Sequence, residues 1–302
     1  MQPSDRMLTL NGFSEFLAKN GRPLAKKHID FRRDAISFAG YQRRDGKKDG
    51  PYRILNFVKV GNSLQIPYDE AKRYLDHLKQ MSIDLAYKDV VTVITEYQDV
   101  LQRPRKKGMR GQRNFMGKVE DEIRGKLAEE GCANFCEELS GIHFEPFYEL
   151  LPPGQRRDEG DFTYFRTADG REVKLPVGME IAVKSTNGYF SIAVPESEWN
   201  WPGGVYISVR PHLNANFLLR LINKAIGLEN FPLDSKIGWL EIDGWTYKKE
   251  MENMAYVGTR LPGRYHASET DFRMKNYIMH PLQLHKTRLE FKGLMDDYLS
   301  LV

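Results

Sequence analysis

Glu159, Asp161 and Lys184 have the residue types and the spacing for chemistry at a phosphate. Lys184 is set into VGMEIAVKSTNG (177–188), where Met179, Ile181 and Val183 alternate with Glu180, Ala182 and Lys184. That is the period of a half-buried strand. An unpaired ammonium there costs on the order of several kcal/mol, so the side chain either snorkels to water or meets an anion. Asp161 heads a hairpin, DFTYFRT, ADG, REVKLP, that runs into the same strand, so the meander can bring both groups to one end of a sheet. Glu159 stands two before Asp161 in DEGD, which on an extended segment puts the two carboxylates on one face about 7 Å apart. Carboxylates that hold one or two Mg²⁺ ions, beside a lysine that orients water and offsets developing charge, are the parts needed for metal-dependent phosphodiester hydrolysis. The plainer reading of EGD is a polar turn. A rival acidic pair, Glu241 and Asp243 in WLEIDGW, sits on a buried strand with Lys248 and Lys249 after it and no suitable lysine before it.

The elements that must position these groups read as an α+β domain with a mixed β-sheet flanked by helices. LNGFSEFLAKN, YDEAKRYLDHLKQM and YKDVVTVITEYQDVLQ have helical periodicity, and YRILNFVKVGNSLQIP reads as two short strands around a Gly-Asn turn. These make residues 1–100 a basic, mostly helical N-terminal region. MGKVEDEIRGKLAEEG is a further helix, with Gly131 as its C-cap. NANFLLRLINKAIGL reads as a helix and KIGWLEIDGWTYKK as a buried strand. The segment 101–116 is a basic linker or arm, and 117–302 carries the catalytic candidates.

In chain order, the helix GKVEDEIRGKL, the Asp161 hairpin and the strand bearing Lys184 resemble the PD-(D/E)xK nuclease superfamily, to which many type II restriction endonucleases belong. The likeness covers roughly residues 117–190. It implies that a helix supplies an acid, with Glu120 the best match and Glu122 the second choice, that Asp161 is the family Asp, and that Lys184 is the family Lys. At the position two before the lysine, where the family pattern has an acid, this chain has Ala182. Glu180 shares that face but lies about 13 Å from Lys184 along the strand, too far to substitute. A small residue at this position is similar to the branch that recognises CCGG or CCNGG cores, in which the displaced acid comes from a helix a dozen or so residues after the lysine. This chain has PESEW there, with Glu196 and Glu198, but Pro195 and the following WNWPGG argue against a helix. The preferred arrangement is therefore Glu120, Glu159-x-Asp161 and Lys184, with the three acids holding Mg²⁺. Glu198 stays open as the alternative. The resemblance implies a sequence-specific, Mg²⁺-dependent endonuclease on double-stranded DNA, acting as a homodimer at a palindromic site.

Charge fits a polyanionic partner. The net charge of +4 divides into +10 over residues 1–113 (23 Lys/Arg against 13 Asp/Glu) and −6 over 114–302 (22 against 28). Arg105, Lys106, Lys107 and Arg110 form a basic run suited to tracking phosphates. The branch's Arg/acid base-reading cluster is replaced here by STNGYFS, which leaves Ser185, Thr186 or Asn187 for base readout. Arg210 has the fork that matches guanine O6 and N7, and Arg260 and Arg264 are similar loop candidates. Trp199 and Trp201 either pack as a local core or stack on an unpaired base. No apolar run approaches the roughly 20 residues needed to span a bilayer, and MQPSDRMLTLNG lacks a signal-peptide core. Cys132 and Cys136 have no zinc-completing partners and read as structural thiols. A soluble cytoplasmic protein without a membrane partner is expected. The competing class is a non-catalytic DNA reader or regulator, which leaves Lys184 and the carboxylates without a task.

Overall fold

The computed structural model describes residues 6–25, 29, 55–96, 115–146, 160–186, 191–200, 203–260 and 271–302. The chain opens with β1 (Met7–Thr9) and α1 (Leu10–Lys19), then β2 (Val58–Val60), β3 (Ser63–Pro67) and α2 (Tyr68–Gln80). β2 and β3 meet at the expected Gly-Asn turn, where Gly61 takes φ 58°. β4 (Ser82–Ala86) and α3 (Tyr87–Glu96) lead to the long α4 (Phe115–Ser140). Next come β5 (His143–Phe144), β6 (Tyr164–Arg166), β7 (Glu172–Lys174), β8 (Ile181–Ser185), β9 (Ile192–Pro195) and β10 (Val205–Leu213). The chain closes with α5 (Phe217–Ala225), β11 (Lys236–Tyr247), α6 (Lys248–Met254), β12 (Tyr256–Arg260), β13 (Asp271–Met279) and α7 (Arg288–Leu299). The fold is α+β, as the sequence predicts.

The central sheet has the order β4-β11-β10-β8, antiparallel except for the β8–β10 pair, which is parallel. Because side chains alternate along a strand, this sheet has two unlike faces. Ile181 and Val183 of β8, Val205, Ile207 and Val209 of β10, and Leu240 and Ile242 of β11 join the main core under α4 and α7. The residues between them, Ala182, Lys184, Tyr206, Ser208, Arg210, His212, Glu241 and Asp243, fall on the other, more polar face. There α1 and α2 bury Trp239, and β9 and β13 bury Ala182 and Tyr206. β8 is more buried than a half-exposed strand, since Ile181, Ala182 and Val183 are all covered.

β4 pairs with β11, and Met81, Leu85, Tyr87, Val90 and Val93 lie in the main core. Residues 81–93 therefore share a core with the region beyond the expected linker at 101–116. That basic run, with Arg105, Lys106, Lys107 and Arg110, lies outside the described residues.

The expectation that Gly131 caps a helix is corrected. α4 continues through it to Ser140. A Cβ on Gly131 would sit 2.1 Å from Leu240 Cδ1, so the glycine marks where the helix meets β11 at its closest. Cys132 and Cys136, one and five residues on, are buried free thiols. On the surface, Leu219, Ile222 and Ile226 make an outward apolar stripe along α5. No helix among the described residues is long and apolar enough to cross a membrane.

Candidate active site

Gly160, Asp161, Ala182, Lys184, Val194, Glu198, Gly203 and Tyr206 enclose a cleft of about 40 Å³ at the β8 edge of the polar face. Each charged group arrives by a separate local device. Phe162 bridges antiparallel to Ile181, and a Cβ on Gly160 would meet Ile181 O at 2.5 Å, so only a glycine lets this segment lie so close to β8. Asp161 then accepts the Val183 N–H through Oδ2 at 2.7 Å, taking up a donor on the β8 edge. Lys184 follows one residue later on the cleft side. Its Nζ is 3.3 Å from Glu198 Oε2 and 6.0 Å from the centroid of the Tyr206 ring. Both members of the ion pair are about a quarter exposed, 24% and 28%, so substrate and ions can reach them. Burial, and Glu198 beside it, push the Tyr206 phenol up, which keeps it neutral.

Glu198 is delivered by a single 3-10 turn, Glu196–Glu198, directly after Pro195. The proline that argues against a helix serves as the N-cap of this turn, and three residues suffice. Of the two places open for the displaced acid, the segment after the lysine reaches Lys184. Glu196 points elsewhere, 4.0 Å from Lys275 Nζ on the surface. Glu159 lies outside the described residues.

The cleft therefore joins two carboxylates, a lysine and a small residue, Ala182, between them. Among the described residues no three His, Cys, Asp or Glu side chains gather to cage a metal. Two carboxylates nevertheless fit Mg²⁺, which keeps several waters and is held by one or two carboxylates together with substrate phosphate.

The helix acids do not join this group. Glu120 is taken up by Arg124 one turn on (2.7 Å), whose guanidinium lies 5.3 Å from the Phe217 ring centroid at the start of α5. Glu122 is buried, and neither lines the cleft. A further α4 carboxylate, not among the sequence candidates, is Glu129. It is buried and pairs with Lys126 at 2.5 Å. The Cys132 thiol is pushed up by its hydrogen bond with Cys136 and by burial, with Asp161 and Glu129 adding to the effect. Its sequence signal is the step of three from Glu129 to Cys132 on a buried helix face.

The rival pair is committed elsewhere. Asp243 accepts from Arg210 Nη2 at 2.8 Å and from the Ser191 hydroxyl, while Glu241 lies 2.8 Å from His212 Nε2. Both acids and Arg210 are buried. Arg210 is corrected as a base reader, since its side chain is 0% exposed inside the protein. Trp199 stacks on Tyr277 at 3.6 Å and 11°, with Lys248 Nζ 5.3 Å from its ring centroid, which favours the local-core role over base stacking. Asn187, Trp201 and Arg264 lie outside the described residues. Arg260 ends β12, its backbone in register with that of Asp271 on β13. Comparison with family models, curated proteins and solved structures returns no match.

Proposed function

We propose that the chain is a Mg²⁺-dependent endonuclease of double-stranded DNA, hydrolysing phosphodiesters at the cleft of Asp161, Lys184 and Glu198. The observation that carries this reading is their meeting around Ala182, although 37 residues of sequence separate the first from the last. Asp161 and Glu198 would hold the cation. When bound, Mg²⁺ neutralises phosphate oxygens and the leaving 3′ oxygen. Asp161 keeps a fixed position because one of its oxygens is tied to the Val183 N–H. Lys184 faces the phosphate, orients the attacking water and offsets the charge that gathers as the water–phosphorus bond forms and the bond to the 3′ oxygen breaks.

Cutting both strands of a palindrome calls for two sites, and so for a second copy of the chain. The exposed stripe of Leu219, Ile222 and Ile226 on α5 supplies apolar surface for such a contact. Sedimentation of the wild type against Ile222→Asp tests this: a dimer that the substitution splits supports the stripe, and a wild-type monomer sinks it.

The deciding experiment is digestion of mixed plasmid and phage DNA, unmodified and modified, with Mg²⁺ or EDTA, beside Lys184→Ala. Discrete fragments that need Mg²⁺ and vanish in the variant support a sequence-specific endonuclease. DNA that stays intact throughout, but is bound in EDTA, identifies a non-catalytic reader instead.

A further inference from the structure

Beside the small cleft, on the far side of Gly203, lies a groove of about 730 Å³, lined by Gly178, Gly203, Gly204, Tyr247, Lys248 and Lys249 among others. Gly203 borders both spaces, so the groove adjoins the cleft at this residue. The floor is main chain: a Cβ on Gly204 would lie 1.5 Å from Gly178 O, and no side chain fits between those segments. Gly203 differs, because a Cβ there meets nothing within 4 Å, and packing does not demand its glycine. Lys248 is anchored beside the cleft. Its N–H donates to Gly204 O at 2.8 Å, and its Nζ lies 5.3 Å from the ring centroid of Trp199, the neighbour of Glu198. Two carboxylates also border the groove. Glu250 is spent inward, accepting from the Tyr247 N–H at 3.1 Å and the Thr246 hydroxyl at 3.0 Å and lying 3.2 Å from His285 Nε2. Glu252 stands one helical turn beyond Lys248.

We infer that this groove holds the sugar-phosphate backbone flanking the phosphate at Lys184, with Lys248 and Lys249 on successive phosphates and Gly203 as the threshold between reaction site and track. This rests on the phosphodiesterase reading for the identity of the polymer. The groove is too large for a lone phosphate, adjoins the cleft at Gly203, and has glycines along its wall, where a backbone can approach the peptide.

The test is binding of sheared plasmid DNA in EDTA, followed by fluorescence anisotropy across a salt series. It compares wild type, the double variant Lys248→Ala/Lys249→Ala, and Gly203→Leu. Each phosphate contact contributes about 0.9 to the slope of log K against log salt. The double variant is therefore expected to lose about 2 of slope and roughly tenfold or more in affinity at low salt. Gly203→Leu, which has space to fold, is expected to weaken binding several-fold with the slope retained. Unchanged slope and affinity in the double variant overturn the groove, as does a wild type that binds no DNA. DNA that is bound with the lysine-dependent slope but never cut leaves the groove standing and removes the phosphodiesterase reading.

Discussion

Lys184 was legible because a cation interrupts an apolar alternation, and Asp161 because a hairpin signal follows it. Glu198 was legible only as an alternative. A three-residue 3-10 turn has no periodicity to read, and the proline in front of it looks like a stop signal when it is a cap. Arg210 and Asp243 misled for a different reason. Free charges of either sign belong at the surface, and only their mutual pairing lets the sheet bury them. Lys184→Ala and Glu198→Gln are expected to reduce cleavage by roughly 10²–10³-fold with unchanged melting temperature, measured as initial rates on plasmid DNA. Since Ala182 lines the same cleft, Ala182→Glu in a Glu198→Ala background should return part of the lost rate. A double variant no faster than Glu198→Ala would exclude position 182 as a place for the acid. Arg210→Ala strands Asp243 as a buried charge and should cost about 3–5 kcal/mol, read by denaturant unfolding. A loss below about 1 kcal/mol would mean that water enters and solvates the carboxylate.

Helices and strands with a clear period were legible in place and type, including α1, α2, α5 and β11. α4 was found but cut short at Gly131. Within the sequence a glycine at the end of a periodic run is a stop signal, whereas in the fold it is the contact point with Leu240. The Cβ of Gly131→Ala has no room, so this substitution, favourable for an isolated helix by about 1 kcal/mol, should destabilise the protein by about 1–3 kcal/mol. Thermal melting decides the sign, and a stabilised variant would show that α4 can lift from β11 freely. α7 was missed altogether, although Thr287 and Glu290 form a capping box at its start. Burial pushes the Glu290 carboxyl up, but the N–H groups of Thr287 and Lys286, the Thr287 hydroxyl and His285 hold it at about 2. Its stabilisation is present above the ordinary carboxylate range and is lost as pH falls through about 2. Glu290→Ala should cost about 1 kcal/mol at neutral pH, and less in strong acid.

Across the fold, two half-buried groups give opposite pH dependences in one window. Burial, with Lys286 nearby, lowers His77 from 6.5 to about 4, so unfolding takes up a proton and stability falls as pH drops from 6.5 toward 4. Burial and then Glu96 raise Glu130 from 4.5 to about 7, so unfolding releases a proton and stability falls as pH climbs from 4.5 toward 7. Their slopes, each at most one proton, largely cancel between about 4.5 and 6.5. Glu130→Gln should unmask the histidine, giving a melting temperature that rises with pH across that window. A profile parallel to the wild type would show that Glu130 does not titrate there. The shared core of β4 and α3 with the later strands means that the molecule responds to such changes as one unit. The direct contact of Lys184 with Glu198 carries a further consequence under the proposed function. A divalent cation seeking Glu198 competes with the lysine, and so does a phosphate seeking Lys184 compete with the carboxylate. Each ligand releases the group that the other needs. Metal and DNA should therefore bind with positive heterotropic coupling, each raising the affinity for the other by the same factor, so that the protein takes up little Mg²⁺ until DNA arrives.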